Sequence, residues 1–195
     1  ILIGLVGSEM CIRDRAGMVC GWVFHAANKG TMCLSHAMGN RPVAKAVLAG
    51  VVLAICGMAL PYTMFAGESQ AHRLMEGYSA LPAAVLITTG FVKCALTPTC
   101  LNLGWRGGHF FPVIFSGVSL GYGFALLTGA APAFCVAACT SALMGAVMRQ
   151  PIMAALLLML CFPLKGVVVM LVAAVIGAAI PLPRVFRPNT QTDRA

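Results

Sequence analysis

The sequence predicts an all-α integral membrane protein, and three observations carry that reading. Of its 195 residues, 60% are apolar and only 9% charged, with a mean hydropathy of +0.92. Soluble domains average about 25% charged residues, so this chain lacks the polar atoms to cover a globule in water. Its apolar stretches follow one another with short Gly, Pro or polar breaks. Many basic residues stand at the edges of those stretches: Arg41, Lys45, Lys93, Arg149, Lys165, Arg184, Arg187 and Arg194. That is the placement expected of loops beside a bilayer.

Residues 1–15, ILIGLVGSEMCIRDR, join an apolar run to a charged piece. They lack the basic start and small-residue cleavage site of a signal peptide. Their SEMCIRDR portion resembles a translated sequencing-adapter scar. Residues 1–15 are therefore set apart from the fold, and the natural protein is expected to extend upstream. Residues 16–183 make the transmembrane region, and residues 184–195 a polar, cytoplasmic tail.

Within that region, Ala16 to Ala37 carries His25, Lys29 and His36 and reads as an amphipathic or tilted helix. It runs into a turn at Gly39-Asn40-Arg41-Pro42. Val43 to Phe65 is a strong span. Gly67 to Glu76 is polar and reads as a surface connection with a short helix. Ala80 to Leu101 is apolar, broken by Pro82 and Pro98, and Lys93 within it reads as a lysine snorkelling to the interface. Gly104 to Gly108 is a Gly-rich loop. His109 to Thr128 and Ala133 to Met148 are uncharged stretches. Pro151 to Phe162 and Lys165 to Ile180 fall short of the roughly 20 residues that cross a bilayer. Interrupted segments at membrane depth must be buried in protein or line a cavity, and their free ends are the stuff of ion sites.

Composition excludes much chemistry. The acids are Glu9, Asp14, Glu68, Glu76 and Asp193, with none between the last two. From Gly107 to Met148 there is no charged residue at all. Paired carboxylates and Ser-His-Asp triads have almost nothing to draw on, so an enzyme is not expected. The nine cysteines form no C-x-x-C pair and the four histidines are scattered, so neither a metal nor another cofactor is expected. The net charge of +8 comes without a basic run interleaved with aromatics, which speaks against nucleic acid.

The informative segment is Gly104-Trp105-Arg106-Gly107-Gly108-His109-Phe110-Phe111-Pro112. Glycines permit a tight turn and close approach to a ligand. The uncharged helix that follows opens with amides lacking intrahelical partners and with the positive end of its dipole. Such a terminus is an anion site made of backbone. A permanent cation would hold the ion too tightly for fast passage.

These residues carry a family resemblance. Gly107-Gly108-His109-Phe110-Phe111-Pro112 resembles the G-G-x-F-x-P signature of the CLC chloride channels and proton-coupled chloride transporters. About 40 residues on, Ala142 to Pro151 resembles that family's run of small residues followed by R-x-P. The resemblance covers roughly residues 17–183 and implies the second half of an inverted-repeat domain, built of short, broken and tilted helices. It implies an anion site at the amides of Gly107, Gly108, His109, Phe110 and Phe111, with His109 and Phe110 as the donors and Arg106 lending electrostatic attraction at the pore mouth. It implies chloride or another small monovalent anion as the substrate, a multi-pass place in a bacterial inner membrane, and a homodimer when full length. Ile152 to Phe162 and Val167 to Ile180 are the implied subunit contacts. His109 occupies a variable position of the signature, where it packs beside the pore or makes conductance depend on pH.

The family's first-half motifs, G-S-G-x-P and G-x-E-G-P, are absent from this chain. Pro183 stands where many members place a tyrosine, and Leu156 to Leu160 is apolar where a glutamate is common. Three readings therefore stay open: a chloride channel, a proton-coupled exchanger of chloride or another halide, and a non-conducting structural subunit.

Overall fold

The computed structural model describes the backbone of residues 2–64, 68–161 and 167–179, and the side chains of these from residue 16 onward except at 68 and 69. Lys165, Pro183, the 184–195 tail and the side chains of residues 1–15 lie outside the described residues. So does the side chain of Glu68. Among the described residues every regular element is helical.

Helix α1 is Leu2–Ala37 and α2 is Pro42–Ala59. The expected span to Phe65 is cut short because Pro61 cannot donate to the helical ladder. The Leu60 amide closes α2 on Cys56 O at 2.8 Å, and a single 3₁₀ turn, Pro61–Thr63, follows. Helix α3, Glu68–Gly77, is the short polar helix of the connection; its Leu74 is buried against Phe115 and Tyr122 while Glu76 is exposed.

Helix α4, Ala83–Asn102, runs straight through Pro98, contrary to the expected break. The ring removes one backbone donor, and neighbouring hydroxyls add donors beside the gap: Thr97 Oγ1 to Lys93 O at 2.9 Å and Thr99 Oγ1 to Ala95 O at 2.8 Å. Both bonds go to carbonyls flanking Cys94 O, the acceptor opposite the missing Pro98 amide. Pro82 is the residue on which α4 starts.

Helices α5 (Phe110–Thr128) and α6 (Pro132–Met148) form the centre. Helix α5 packs on α3, α4 and α6, and α6 also meets α1, α7 (Pro151–Cys161) and α8 (Val167–Ala179). A Cβ placed on Gly117 would stand 2.5 Å from Thr140 Cα, so the α5 and α6 backbones touch there. Small residues at crossings are how apolar helices gain contact in lipid, where no hydrophobic drive pulls them together.

Arg149 ends α6 in the left-handed conformation with φ 57°, the only non-Gly residue to do so among the described residues. Its guanidinium donates to Ala178 O at 2.9 Å, placing a cation at the carbonyl end of α8. Helices α2, α4 and α5 are long and apolar enough to cross a membrane. The last two helices are shorter and expose Ile152, Leu160, Val168 and other apolar side chains.

Candidate functional site

The loop between α4 and α5 is held at both ends before it reaches its glycine pair. The Asn102 side-chain amide donates to Asn28 Oδ1 (2.8 Å), Asn28 O (3.1 Å) and Thr31 Oγ1 (2.8 Å), which ties the end of α4 to α1. Three residues on, Trp105 Nε1 donates to Ala46 O of α2 at 3.2 Å. Between them Gly104 adopts φ 97°, which side chains rarely tolerate, so the tight turn sits there.

Gly107 and Gly108 do something else. Neither has a positive φ, and a Cβ on either would meet nothing within 4 Å. Neither chain direction nor packing demands glycine at these positions, and both are exposed. Of the loop's glycines, Gly104 turns the chain, and Gly107 and Gly108 leave a strip of backbone bare.

Helix α5 begins without a side-chain cap. His109 is its N-cap residue, and the first bond of the ladder runs from Val113 N–H to His109 O at 3.1 Å. Among the described residues the amides of His109, Phe110 and Phe111 find no acceptor, and Pro112 has no amide to satisfy. The His109 ring stacks on Phe110, with centroids 4.5 Å apart, and does not cap the helix.

A cavity of about 260 Å³ lies beside this loop, bordered by Arg106, Gly107, Gly108 and Pro112 on one side and by Leu53, Thr63, Lys93 and Thr97 on the other. Its mouth is exposed at Trp105, Arg106, Gly107 and Gly108, and its floor is buried at Thr63, Lys93 and Thr97. Of the residues the sequence singled out, Arg106, Gly107 and Gly108 line this cavity; His109, Phe110 and Phe111 do not. Phe110 and Phe111 are exposed, and the Phe111 ring borders a separate apolar cavity of about 380 Å³ with Phe115 and Tyr122.

Lys93 is the residue that sequence reasoning misplaced. It does not snorkel: it is 3% exposed. Its Nζ donates to Thr63 O at 2.5 Å and Met64 O at 3.3 Å, and lies 5.8 Å from the centroid of the Phe115 ring. The cause is the early end of α2. The single 3₁₀ turn that starts at Pro61 ends at Thr63, so the Thr63 and Met64 carbonyls have no continuing helix to accept from, and the ammonium donates to them. One signal was available, since an ionisable residue within an apolar span is a site candidate by default.

A family profile described as "Voltage gated chloride channel" matches residues 15–181. Among curated relatives, one from Escherichia coli named "Putative ion-transport protein YfeO" is 30% identical over 122 residues, covering 62% of this chain and 27% of that protein. Relatives of the same name from Salmonella newport and Salmonella agona are 31% identical over 125 residues, covering 64% of this chain and 29% of theirs. The match thus spans under a third of the length of these relatives.

Proposed function

The chain belongs to the voltage-gated chloride channel family, and on that premise we propose that it supplies one half of a path for chloride or another small monovalent anion. Family membership and its ion-transport relatives make it an integral membrane protein of ion transport. The finer reading is ours. The observation that carries it is the bare strip at Gly107 and Gly108 leading to three amides without acceptors among the described residues. Backbone donors at a helix start can replace part of an anion's water with partial charges and bind it weakly enough to release it.

The remaining parts of the proposal follow from the same premise. Gly107, Gly108, His109, Phe110 and Phe111 contribute the backbone of the anion site, and Arg106 attracts anions to its mouth. The rest of the path comes from sequence outside this chain. The exposed apolar faces of α7 and α8, with Ile152, Leu160 and Val168, fit contact with a second copy in a bacterial inner membrane.

The test uses the protein expressed from its full natural reading frame and reconstituted in liposomes. Chloride is expected to leave loaded vesicles down its gradient with saturable kinetics, and an imposed pH gradient is expected not to drive it uphill. Uphill chloride movement would assign a proton-coupled exchanger instead. No flux of any halide would leave only the non-conducting subunit.

A further inference from the structure

We infer that Lys93 and Arg106 make the cavity beside the glycine loop an electrostatic funnel, in which Arg106 draws a small anion to the mouth and Lys93 fixes its affinity at the floor. This rests on the anion reading above and names residues that set the strength of binding. The two cations border one cavity, Arg106 where it is exposed and Lys93 where it is buried. Among the described residues, no carboxylate joins them in the lining.

Their surroundings give the two charges different reach. Arg106 is exposed, so its field is screened by dissolved salt over about 10 Å at 0.1 M. It can raise the local anion concentration and the rate of arrival, and it does so most at low ionic strength. Lys93 sits where water is scarce, and a charge there acts through a lower effective dielectric. The carbonyls of Thr63 and Met64 hold its ammonium in place, and as neutral dipoles these two acceptors do not themselves cancel its charge. A fixed, weakly screened charge favours an anion that enters the cavity, and an anion there lowers the cost of keeping the ammonium buried.

Thr97 and Thr63 show why the lining hydroxyls are not the primary ligands. Thr97 Oγ1 already donates to Lys93 O, and Thr63 Oγ1 donates to Leu60 O at 2.7 Å. Each hydroxyl proton is committed to backbone, so the cations carry the attraction. The cavity has room for a monatomic anion with part of its water shell.

The test reads Trp105, which borders the same cavity. Iodide quenches indole fluorescence on contact, so the quenching of Trp105 by sodium iodide is measured in the full natural protein, as the difference from a Trp105→Phe variant. Sodium chloride serves as competitor and sodium gluconate as the screening salt. Wild-type quenching should saturate and be relieved by chloride. Lys93→Met should raise the half-saturating iodide concentration about tenfold at both low and high gluconate, and Lys93→Arg should stay within about threefold of wild type. Arg106→Gln should raise it only near 0.01 M gluconate, losing its effect near 1 M, where the screening length is about 3 Å.

Equal half-saturation in Lys93→Met and wild type would overturn the inference. So would a Lys93→Arg protein as defective as Lys93→Met, since that points to packing. Should the buried Lys93→Met chain fail to fold, Arg106→Gln on the exposed loop still decides: an effect that persists at high gluconate contradicts the funnel. Quenching needs no net flux. A protein that binds iodide in a Lys93-dependent way but passes no chloride would therefore lose the transport proposal and keep this one.

Discussion

Gly108→Val is expected to cut anion flux by at least about tenfold while leaving the fold as stable as before, within about 0.5 kcal/mol. The two halves of that expectation have separate causes. Stability is spared because Gly108 has no positive φ and its Cβ would meet nothing within 4 Å. Flux is lost because the new side chain covers bare backbone on the wall of the cavity, ahead of the amides that open α5. Gly104→Ala reverses the pattern. At φ 97° a side chain strains the turn, which costs about 1 kcal/mol or more, and its Cβ too has only open space around it. Chloride efflux from liposomes and the unfolding midpoint in detergent, measured on both variants, separate a position kept for a ligand from one kept for the turn.

The largest effect on stability is expected at the α6–α8 crossing. A Cβ on Gly145 would run into the carbonyl of Ala174, and one on Gly177 would run into the carbonyl of Ala142. The two helices therefore touch backbone to backbone, reciprocally. A backbone obstacle cannot rotate away as a side chain can. Gly177→Val must push α8 off α6 along its buried face, which includes Met170, Ala173 and Ala174. The expected loss is about 3 kcal/mol or more, enough to deplete folded protein after extraction. Gly30 on α1 is the control: nothing lies within 4 Å of its Cβ position, so Gly30→Ala should be neutral or stabilise by up to about 1 kcal/mol. Thermal unfolding and the monodisperse yield in detergent measure both.

Helix positions were legible in the sequence where apolar length met proline or glycine. Proline opens α6 and α7, and Gly129 closes α5 with φ 67°. Pro98 was misleading because α4 continues through it, and an apolar pattern does not say whether a proline ends a helix or only removes one rung of its ladder. The glycine loop was visible as a motif, yet the division of labour within it was hidden. Whether Gly104 or Gly107 turns the chain is a matter of φ, and all glycines look alike in a sequence. Lys93 was hidden for another reason. Its acceptors lie 29 and 30 residues earlier, at a turn whose position depends on Pro61 ending α2. The anchor of the loop is more distant still, with Asn102 meeting Asn28 across 74 residues. Local periodicity carries no information about such pairs.

The central claim is that peptide amides at the start of α5 attract a negative ion. The most direct measurement is the anomalous scattering of bromide in crystals of the full natural protein. The account predicts a bromide peak within hydrogen-bond reach of the His109 or Phe110 amide, on the side bared by Gly107 and Gly108. No peak there, with those amides bonded to protein oxygens or turned toward acyl chains, would contradict it.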